Sequence, residues 1–125
     1  MAKYILIVED DTDLAAMLGD LLEASGFHAV LAANGLEAIE HLRRGHHPDL
    51  ILLDMMMPVM DGWQFQRERQ RMAEVAGVPV VVLTADGNAR RKASAIGAQG
   101  YLSKPVSGET LVSAVERVCG PPELS

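Results

Sequence analysis

Residues 4–11 read YILIVEDD, an apolar run that is followed at once by three acids. Apolar and polar side chains do not alternate along the run, so it predicts a strand that is buried on both faces, as in a parallel sheet. Residues 50–53 (LILL) and 79–83 (PVVVL) have the same character. We therefore expect these three segments to be the central strands of one parallel sheet.

Two weaker apolar runs predict outer strands. Residues 28–32 (HAVLA) mix apolar and polar side chains, and the run at residues 100–103 (GYLS) is short. Segments with helical spacing separate the five runs, which predicts β-α units around the sheet. The residues expected to cap helices are Thr12, Asn34, Asp61 and Ser107. The side chains expected to face the core are Leu14, Leu18, Leu21, Leu22, Leu36, Ile39, Leu42, Phe65, Met72, Leu111, Val115 and Val118. The third helix should have a narrow inner face, since residues 66–71 are polar.

The bulk composition predicts one folded domain. Of the 125 residues, 49% are hydrophobic and 22% are charged, which is ordinary for a compact domain of this size. We expect a single domain over residues 1–125, with its core in residues 3–119 and a short tail in residues 120–125. The single cysteine, Cys119, cannot form an internal disulfide, which is typical of a reducing compartment.

The charge balance and the start of the chain exclude other classes. A formal net charge of −6 disfavours binding to nucleic acid, because phosphates attract basic surfaces. The apolar stretch after Lys3 is too short for a secretion signal or a membrane span. We therefore expect a cytoplasmic protein that neither binds nucleic acid directly nor inserts into a membrane.

Acidic residues follow two of the predicted central strands. Glu9 and Asp10 come directly after the first, and Asp54 comes directly after the third. The carboxyl ends of neighbouring parallel strands lie side by side where the strand order reverses, so we expect these three side chains to converge. Crowded carboxylates need a compensating cation. Mg²⁺, or Mn²⁺ in its place, suits a site of carboxylate oxygens that also takes a phosphate.

The other strand ends supply groups that complement a phosphate. Thr84 brings a hydroxyl after the fourth strand, and Lys104 brings an ammonium after the fifth. A carboxylate that attacks phosphorus forms an aspartyl phosphate, whose oxygens need such partners. The Lys104-Pro105 bond is a candidate cis peptide, because only X-Pro bonds adopt cis at low cost.

These residues lie in four motifs: ILIVEDD (5–11), DLILLDMMMPVMDG (49–62), VVVLTA (80–85) and GAQGYLSKP (97–105). In this order and at these intervals they resemble the receiver domains of bacterial two-component response regulators, over almost the whole chain. The resemblance implies a doubly wound, flavodoxin-like (βα)5 sandwich. Its five-stranded parallel sheet would have the order 2-1-3-4-5, with helices on both faces. We expect a stand-alone receiver of this kind.

The resemblance also implies a role for each residue of the site. Asp54 is the phosphoacceptor, Asp10 binds the metal directly, and Glu9 acts on it through water. Met56 would lend the metal its backbone carbonyl, and Thr84 and Lys104 would contact the phosphoryl oxygens. Ala85 and Pro105 would form walls of the phosphoryl pocket, and Tyr101 would act as a switch. Tyr101 is also explained by strand packing, and both interpretations stay open.

The resemblance implies partners rather than a metabolic substrate. The phosphodonor is a histidine kinase or a histidine phosphotransfer protein, and the output is a changed surface for a downstream protein that the sequence does not name. The chain would then catalyse only its own phosphorylation and slow dephosphorylation, so it is not an enzyme in the usual sense. Residues 90–92 (RRK) are either a solvated surface or a docking patch for an acidic partner. An acid at Asp86 affects the phosphoryl lifetime with a sign that the sequence leaves open.

Other side chains that suggest chemistry have structural explanations. The methionines at 55–57 and 60 resemble a soft-metal cluster but are expected to fill gaps. His41, His46 and His47 lack further ligands at zinc spacing and are expected to be solvated. Trp63 is expected either to pack against the sheet or to stay partly exposed.

Three other function classes compete. A phosphatase of the haloacid-dehalogenase type needs a second Asp two residues after the nucleophile, where this chain has Met56. A flavin carrier of similar topology needs a loop rich in Gly, Ser and Thr after the first strand, where residues 9–11 are acids. The third alternative is an interaction module that is never phosphorylated. Only the presence of every residue needed for phosphorylation argues against it.

Overall fold

The structure, a computed structural model, describes residues 3–45, 47–57 and 59–122. Within those ranges the chain forms five strands and five helices in strict alternation. The strands are β1 (Tyr4–Val8), β2 (His28–Ala32), β3 (Leu50–Asp54), β4 (Val80–Thr84) and β5 (Gly100–Ser103). The helices are α1 (Thr12–Ala24), α2 (Gly35–Arg43), α3 (Gly62–Gln70), α4 (Ala89–Ile96) and α5 (Gly108–Cys119).

All five strands are parallel and lie in the order β2-β1-β3-β4-β5. The predicted fold class and strand order are therefore confirmed. β1, β3 and β4 occupy the centre of the sheet, as their continuous apolar runs predicted. The order reverses between β1 and β3, where Val8 pairs with Leu53. The residues that follow these two strands consequently meet at one edge of the sheet.

The sheet separates two apolar clusters. On one face, α2, α3 and α4 contribute Ile39, Phe65 and Ala93 to a cluster that includes Leu6 and Leu53. On the other face, α1 and α5 contribute the residues Leu18, Leu22, Leu111 and Val115, which pack against Ile5, Ile7, Leu52 and Val81. Helices on both faces explain why the central strands are apolar at every position.

Three of the four predicted helix caps are confirmed. Asn34, Asp61 and Ser107 each accept a hydrogen bond from a backbone N–H in the first turn of their helix. Thr12 is wrong as a cap, because it is the first residue of α1 and Asp11 is the cap. The exposed Asp11 carboxylate accepts hydrogen bonds from the backbone N–H groups of Asp13 and Leu14.

One expected core side chain is exposed, and another packs against the core from outside its predicted helix. Leu36 is 42% exposed, and the buried face of α2 is formed by Ala38, Ile39 and Leu42. Leu36 lies beside that stripe, because successive residues turn by about 100° around a helix. Met72 packs partly buried against the core, but it follows α3 and does not belong to it.

The polar helix α3 buries two of its polar residues. Gln66 and Arg69 are 4% and 3% exposed. The Arg69 guanidinium donates to Gln66 Oε1 through Nε and Nη2, at 3.1 and 3.0 Å. Its Nη1 also donates to the carbonyls of Val75, Ala76 and Val78, at 2.7, 3.0 and 3.1 Å. The narrow apolar face predicted for α3 is thus completed by hydrogen bonds.

The histidines are only partly as expected. His47 is exposed, but His41 is half-buried and forms a 2.8 Å hydrogen bond with the Tyr4 hydroxyl, so its expected solvation was wrong. His46 and residues 123–125 of the expected tail lie outside the described residues. In the described part of the chain, no helix has the length and apolar character needed to cross a membrane.

Candidate functional site

An acidic cluster lies at the carboxyl edge of the sheet. Glu9 and Asp10 follow β1, and Asp54 ends β3. Each side chain offers a carboxylate oxygen, and these oxygens lie within 4.8 Å of one another. Glu9 and Asp54 are almost completely buried, whereas Asp10 is exposed. The convergence expected from the strand ends is confirmed.

Lys104 provides the positive charge that the cluster needs. Its Nζ lies 2.8 Å from Glu9 Oε1 and 3.6 Å from Asp54 Oδ2. The backbone of Lys104 continues the sheet edge, since its N–H donates to the Thr84 carbonyl at 2.9 Å. The Lys104-Pro105 peptide is cis, as predicted. Lys104 therefore joins the strand ends of β1, β3 and β5 in one ionic cluster.

Thr84 ends β4 beside this cluster, and its side chain is fully buried. Its hydroxyl contributes, after Lys92 and the Asn88 N–H, to the lowered pKa of Asp86. The hydroxyl nevertheless forms no hydrogen bond of normal geometry with any described residue. A buried hydroxyl without a partner is costly, which makes Thr84 Oγ1 a donor available to an incoming anion.

The remaining predicted site residues surround this centre. Ala85 and Pro105 are exposed and follow Thr84 and Lys104 directly. Tyr101 lies on β5 and is 46% exposed, so its ring is not part of the buried core. The described geometry places Tyr101 at the surface, and it tests neither its switch role nor its packing role.

Burial governs the protonation of Asp54. Removal from water, reinforced by the neighbouring Glu9 and Asp10, raises the pKa of Asp54 to about 7, although a hydrogen bond from the Met56 N–H opposes this shift. Like charges in a buried site disfavour a second ionised carboxylate. Without a metal ion, Asp54 is therefore partly protonated near neutral pH.

The pKa shifts of the neighbouring Asp10 and Lys104 both favour the charged form of the side chain. Burial opposes ionisation of Asp10, but hydrogen bonds with Asp54 and Glu9 outweigh it and lower the pKa of Asp10. Burial also disfavours the Lys104 ammonium, but its hydrogen bond with Glu9 and the nearby acids raise the pKa of Lys104 overall. Lys104 stays protonated, and Asp10 ionises more readily than Asp54.

The donor set fits a hard divalent cation. Three carboxylates converge, and the Met56 N–H donates to Asp54 Oδ1 at 3.1 Å, which holds the loop after β3 against the acid. The Met56 side chain is 62% exposed, so any contribution of this residue to a metal would come from its backbone. Oxygen donors of this kind suit Mg²⁺ rather than a soft metal.

One interaction at the edge of the site was not predicted. Asp86 Oδ2 pairs with Lys92 Nζ, and Asp86 Oδ1 accepts from the Asn88 N–H at 2.9 Å. The six-residue separation crosses from the β4–α4 loop into α4, so it follows no helical or strand spacing. The charge run at residues 90–92 was recognised, but its link to the site required the fold.

Two surface clefts contain residues whose role the sequence did not decide. Arg90, Tyr101 and Arg117 line a cleft of about 550 Å³ between α4, β5 and α5. Trp63 is partly buried and packs against the core while also lining a second cleft with Met56 and Met57. Both alternatives for Trp63 therefore apply at once.

The fold and the site define a doubly wound α/β protein. Its acidic cluster, whose carboxylates could hold a metal ion, lies at the point where the strand order reverses. The family model of the response regulator receiver domain matches residues 5–116. The chain belongs to this family, whose members are signalling domains of two-component systems. The phosphatase and flavin-carrier alternatives are therefore set aside.

Curated relatives agree with the family. The polar-differentiation response regulator DivK of Brucella ovis is 34% identical over 123 residues, covering 96% of this chain and 98% of DivK. The probable transcriptional regulator ycf29 of Porphyra purpurea is 37% identical over 120 residues. That alignment covers 94% of this chain but only 57% of the ycf29 protein.

Solved structures show the same fold. The chemotaxis protein CheY4 of Vibrio cholerae matches with a TM-score of 0.86 and 29% identity, covering 94% of this chain and 99% of CheY4. The receiver domain of the sensor histidine kinase PA1611 of Pseudomonas aeruginosa PAO1 matches with a TM-score of 0.86 and 30% identity, covering 96% and 99% of the two chains. That structure has a magnesium ion coordinated in its active-site cleft.

Proposed function

We propose that this protein is a phosphorylation-dependent switch that accepts a phosphoryl group on Asp54 from a phosphohistidine. The observation that supports this most directly is the position of Lys104, whose ammonium contacts both the buried Glu9 and the buried Asp54. A phosphoryl group on Asp54 would extend from this carboxylate toward Lys104 Nζ and the free Thr84 hydroxyl. Both donors are already in place before any reaction occurs.

The residues divide the chemistry between them. An Asp54 carboxylate oxygen attacks phosphorus, a P–O bond forms, the P–N bond to the donor imidazole breaks, and the imidazole leaves with the electron pair. Lys104 and Thr84 bind the oxygens of the transferred group. Ala85 and Pro105 wall the pocket beside these two donors. All of these groups are held by the ends of a rigid sheet, so little reorganisation is needed.

Asp10, Asp54 and the Met56 carbonyl would hold Mg²⁺, or Mn²⁺, with Glu9 reaching it through water. Bound there, the ion would supply positive charge to the oxygens of the transferred group. The acidic cluster and its raised Asp54 pKa support this assignment, because a cation removes the repulsion that keeps a proton on Asp54. The chain itself contributes the ligands and excludes bulk water from Asp54.

We further propose that residues 1–125 act as one signalling domain, with a histidine kinase or histidine phosphotransfer protein as donor. It would catalyse only its own phosphorylation and slow dephosphorylation. The output would be a change at the α4–β5–α5 surface, where Arg90, Tyr101 and Arg117 line an open cleft. A downstream protein would read that change. Tyr101 is exposed at this cleft, and its ring would rotate inward as part of that change.

The test is labelling with acetyl phosphate. With Mg²⁺ present, intact mass spectrometry should show one phosphoryl adduct on the wild-type protein. Asp54→Asn should show none, because the amide is not a nucleophile. The matched control is Asp20→Asn, which removes the same charge from an exposed position on α1. An adduct that persists in folded Asp54→Asn, or a wild type that is never labelled, contradicts the proposal.

A further inference from the structure

The β4–α4 loop carries a second charged pair at the mouth of the site. Asp86 lies two residues after Thr84, in the exposed stretch of residues 85–88. Its two carboxylate oxygens have different partners: Oδ1 accepts from the Asn88 N–H, and Oδ2 pairs with Lys92 Nζ on α4. The Lys92 side chain is only 14% exposed, so it lies along the protein surface toward Asp86.

This pair takes the place of a helix cap. Asn88 precedes α4, but its side chain makes no capping hydrogen bond. Asp86 instead presents its carboxylate to the N-terminal end of α4, where the helix dipole favours negative charge. The anchoring of Asp86 to α4 therefore depends on the Asn88 N–H and on Lys92.

The Thr84 hydroxyl also acts on the Asp86 carboxylate. The pKa of Asp86 is lowered first by Lys92, then by the Asn88 N–H, and to a smaller extent by Thr84. Thr84 is fully buried and forms no hydrogen bond of normal geometry in the part of the chain that is described. The Asp86 carboxylate and a phosphoryl group on Asp54 would compete for the same hydroxyl proton.

We propose that Lys92 is a positioning residue for phosphoryl acceptance, which rests on the function proposed above. By pairing with Asp86 Oδ2, Lys92 keeps this carboxylate on α4 and leaves the Thr84 hydroxyl available to the transferred group. Lys92 also offsets a negative charge that lies close to where an anionic donor must approach. Without Lys92, Asp86 Oδ2 has no partner on α4 and becomes free to accept from the Thr84 hydroxyl, and its uncompensated charge repels an anionic phosphodonor.

The proposed role of Lys92 predicts how each variant changes the rate of labelling by acetyl phosphate. Lys92→Gln should slow labelling by acetyl phosphate about threefold, which is the scale of a partly exposed ion pair. Lys92→Arg should keep the wild-type rate, because a guanidinium can also pair with Asp86. Asp86→Asn with Lys92→Gln should be at least as fast as the wild type, since no competing carboxylate remains. Arg43→Gln on α2 is the charge-matched control and should behave as the wild type.

The double variant separates positioning from a structural role. If Lys92 served only to stabilise α4, adding Asp86→Asn to Lys92→Gln would leave the rate low or reduce it further. The deficit of Lys92→Gln should also shrink as ionic strength rises from about 0.05 to 0.5 M, because salt screens exposed charges. A double variant as slow as Lys92→Gln, or a deficit that salt does not change, overturns the proposal.

A second measurement does not depend on phosphorylation. In amide NMR spectra of the unmodified protein, Lys92→Gln should shift Thr84 as well as residues 86–88, and the double variant should return Thr84 towards its wild-type position. Unchanged Thr84 resonances in Lys92→Gln overturn the proposal. A wild type that is never labelled, with the Thr84 shifts as expected, overturns instead the function on which the proposal rests.

Discussion

At the scale of single residues, the site is a balance between three carboxylates and one ammonium. Burial raises the pKa of Asp54 to about 7, while hydrogen bonds lower that of Asp10. Lys104 offsets part of the repulsion through its contacts with Glu9 and Asp54. With all three carboxylates ionised, two negative charges remain in excess unless a proton or a metal ion is present. Folding therefore creates a site that is unfavourable when empty and fully ionised.

Replacement of Asp54 by Asn should stabilise the metal-free protein, and more so at pH 8 than at pH 5. An Asp with a raised folded-state pKa binds more protons folded than unfolded, so its cost to stability grows as pH rises from about 4 to about 7 and is fully present above that range. The gain at pH 8 should be on the order of 1–2 kcal/mol in the free energy of unfolding. Urea unfolding in EDTA measures it.

The control for this prediction is Asp20→Asn, which should change stability little at either pH. Addition of Mg²⁺ should reduce the advantage of Asp54→Asn, because the metal stabilises the ionised wild-type site. An advantage that is larger at pH 5 than at pH 8 would contradict the assigned sign of the Asp54 shift.

At the scale of elements, α3 shows how a polar helix can still pack against the core. Phe65 is its one fully buried large apolar side chain among the described residues. Gln66 and Arg69 replace apolar contacts with hydrogen bonds to the segment that follows α3 and, through Gln66 Nε2, to the Ile96 carbonyl at 3.1 Å. Arg69 forms no ion pair with any described residue, and burial lowers its pKa. The network joins α3, the α3–β4 segment and the last residue of α4.

Replacement of Arg69 by Met should destabilise the protein by about 2–4 kcal/mol, because it removes the donor that three carbonyls share and leaves Gln66 Oε1 without its partner. Thermal or urea unfolding measures the loss. The matched control is Arg67→Met on the same helix, where the side chain is exposed and the expected change is within about 0.5 kcal/mol. Equal effects of the two substitutions would show that the buried network contributes nothing.

At the scale of the whole molecule, the sheet edge is where folding and ligand binding are coupled. Three strand ends bring Glu9, Asp54 and Lys104 together, although these residues are far apart in the chain. The site exists only in the folded state. A cation that binds there must therefore stabilise the entire domain by mass action.

Mg²⁺ should raise the melting temperature of the wild-type protein in a concentration-dependent manner. A hundredfold excess over the dissociation constant corresponds to about 2.7 kcal/mol, or a rise of roughly 8–16 °C for a domain of this size. Asp10→Asn should lose most of this rise, because it removes a direct ligand. Glu109→Gln, an exposed acid at the start of α5, should keep it. A wild type whose melting temperature ignores Mg²⁺ would contradict the metal site.

Much of the fold could be predicted because its signals are local. Continuous apolar runs identified β1, β3 and β4 as central strands, and Asn34, Asp61 and Ser107 identified helix starts. The errors at Leu36 and Thr12 also have local causes. Helical spacing alone cannot choose between adjacent stripes, and a capping residue has an equally suitable neighbour in Asp11.

The sequence by itself determined the elements and the types of group that follow each strand, because backbone propensity and burial depend on neighbouring residues. It therefore sufficed to predict that Glu9, Asp10 and Asp54 would meet. Only the tertiary structure decided that the Lys104 ammonium would contact these acids, and that the Thr84 hydroxyl would have no hydrogen-bond partner among the described residues. The pairing of Asp86 with Lys92 and the burial of Arg69 belong to the same category. These contacts join side chains across different elements, and their energies depend on distances and burial that no local pattern contains.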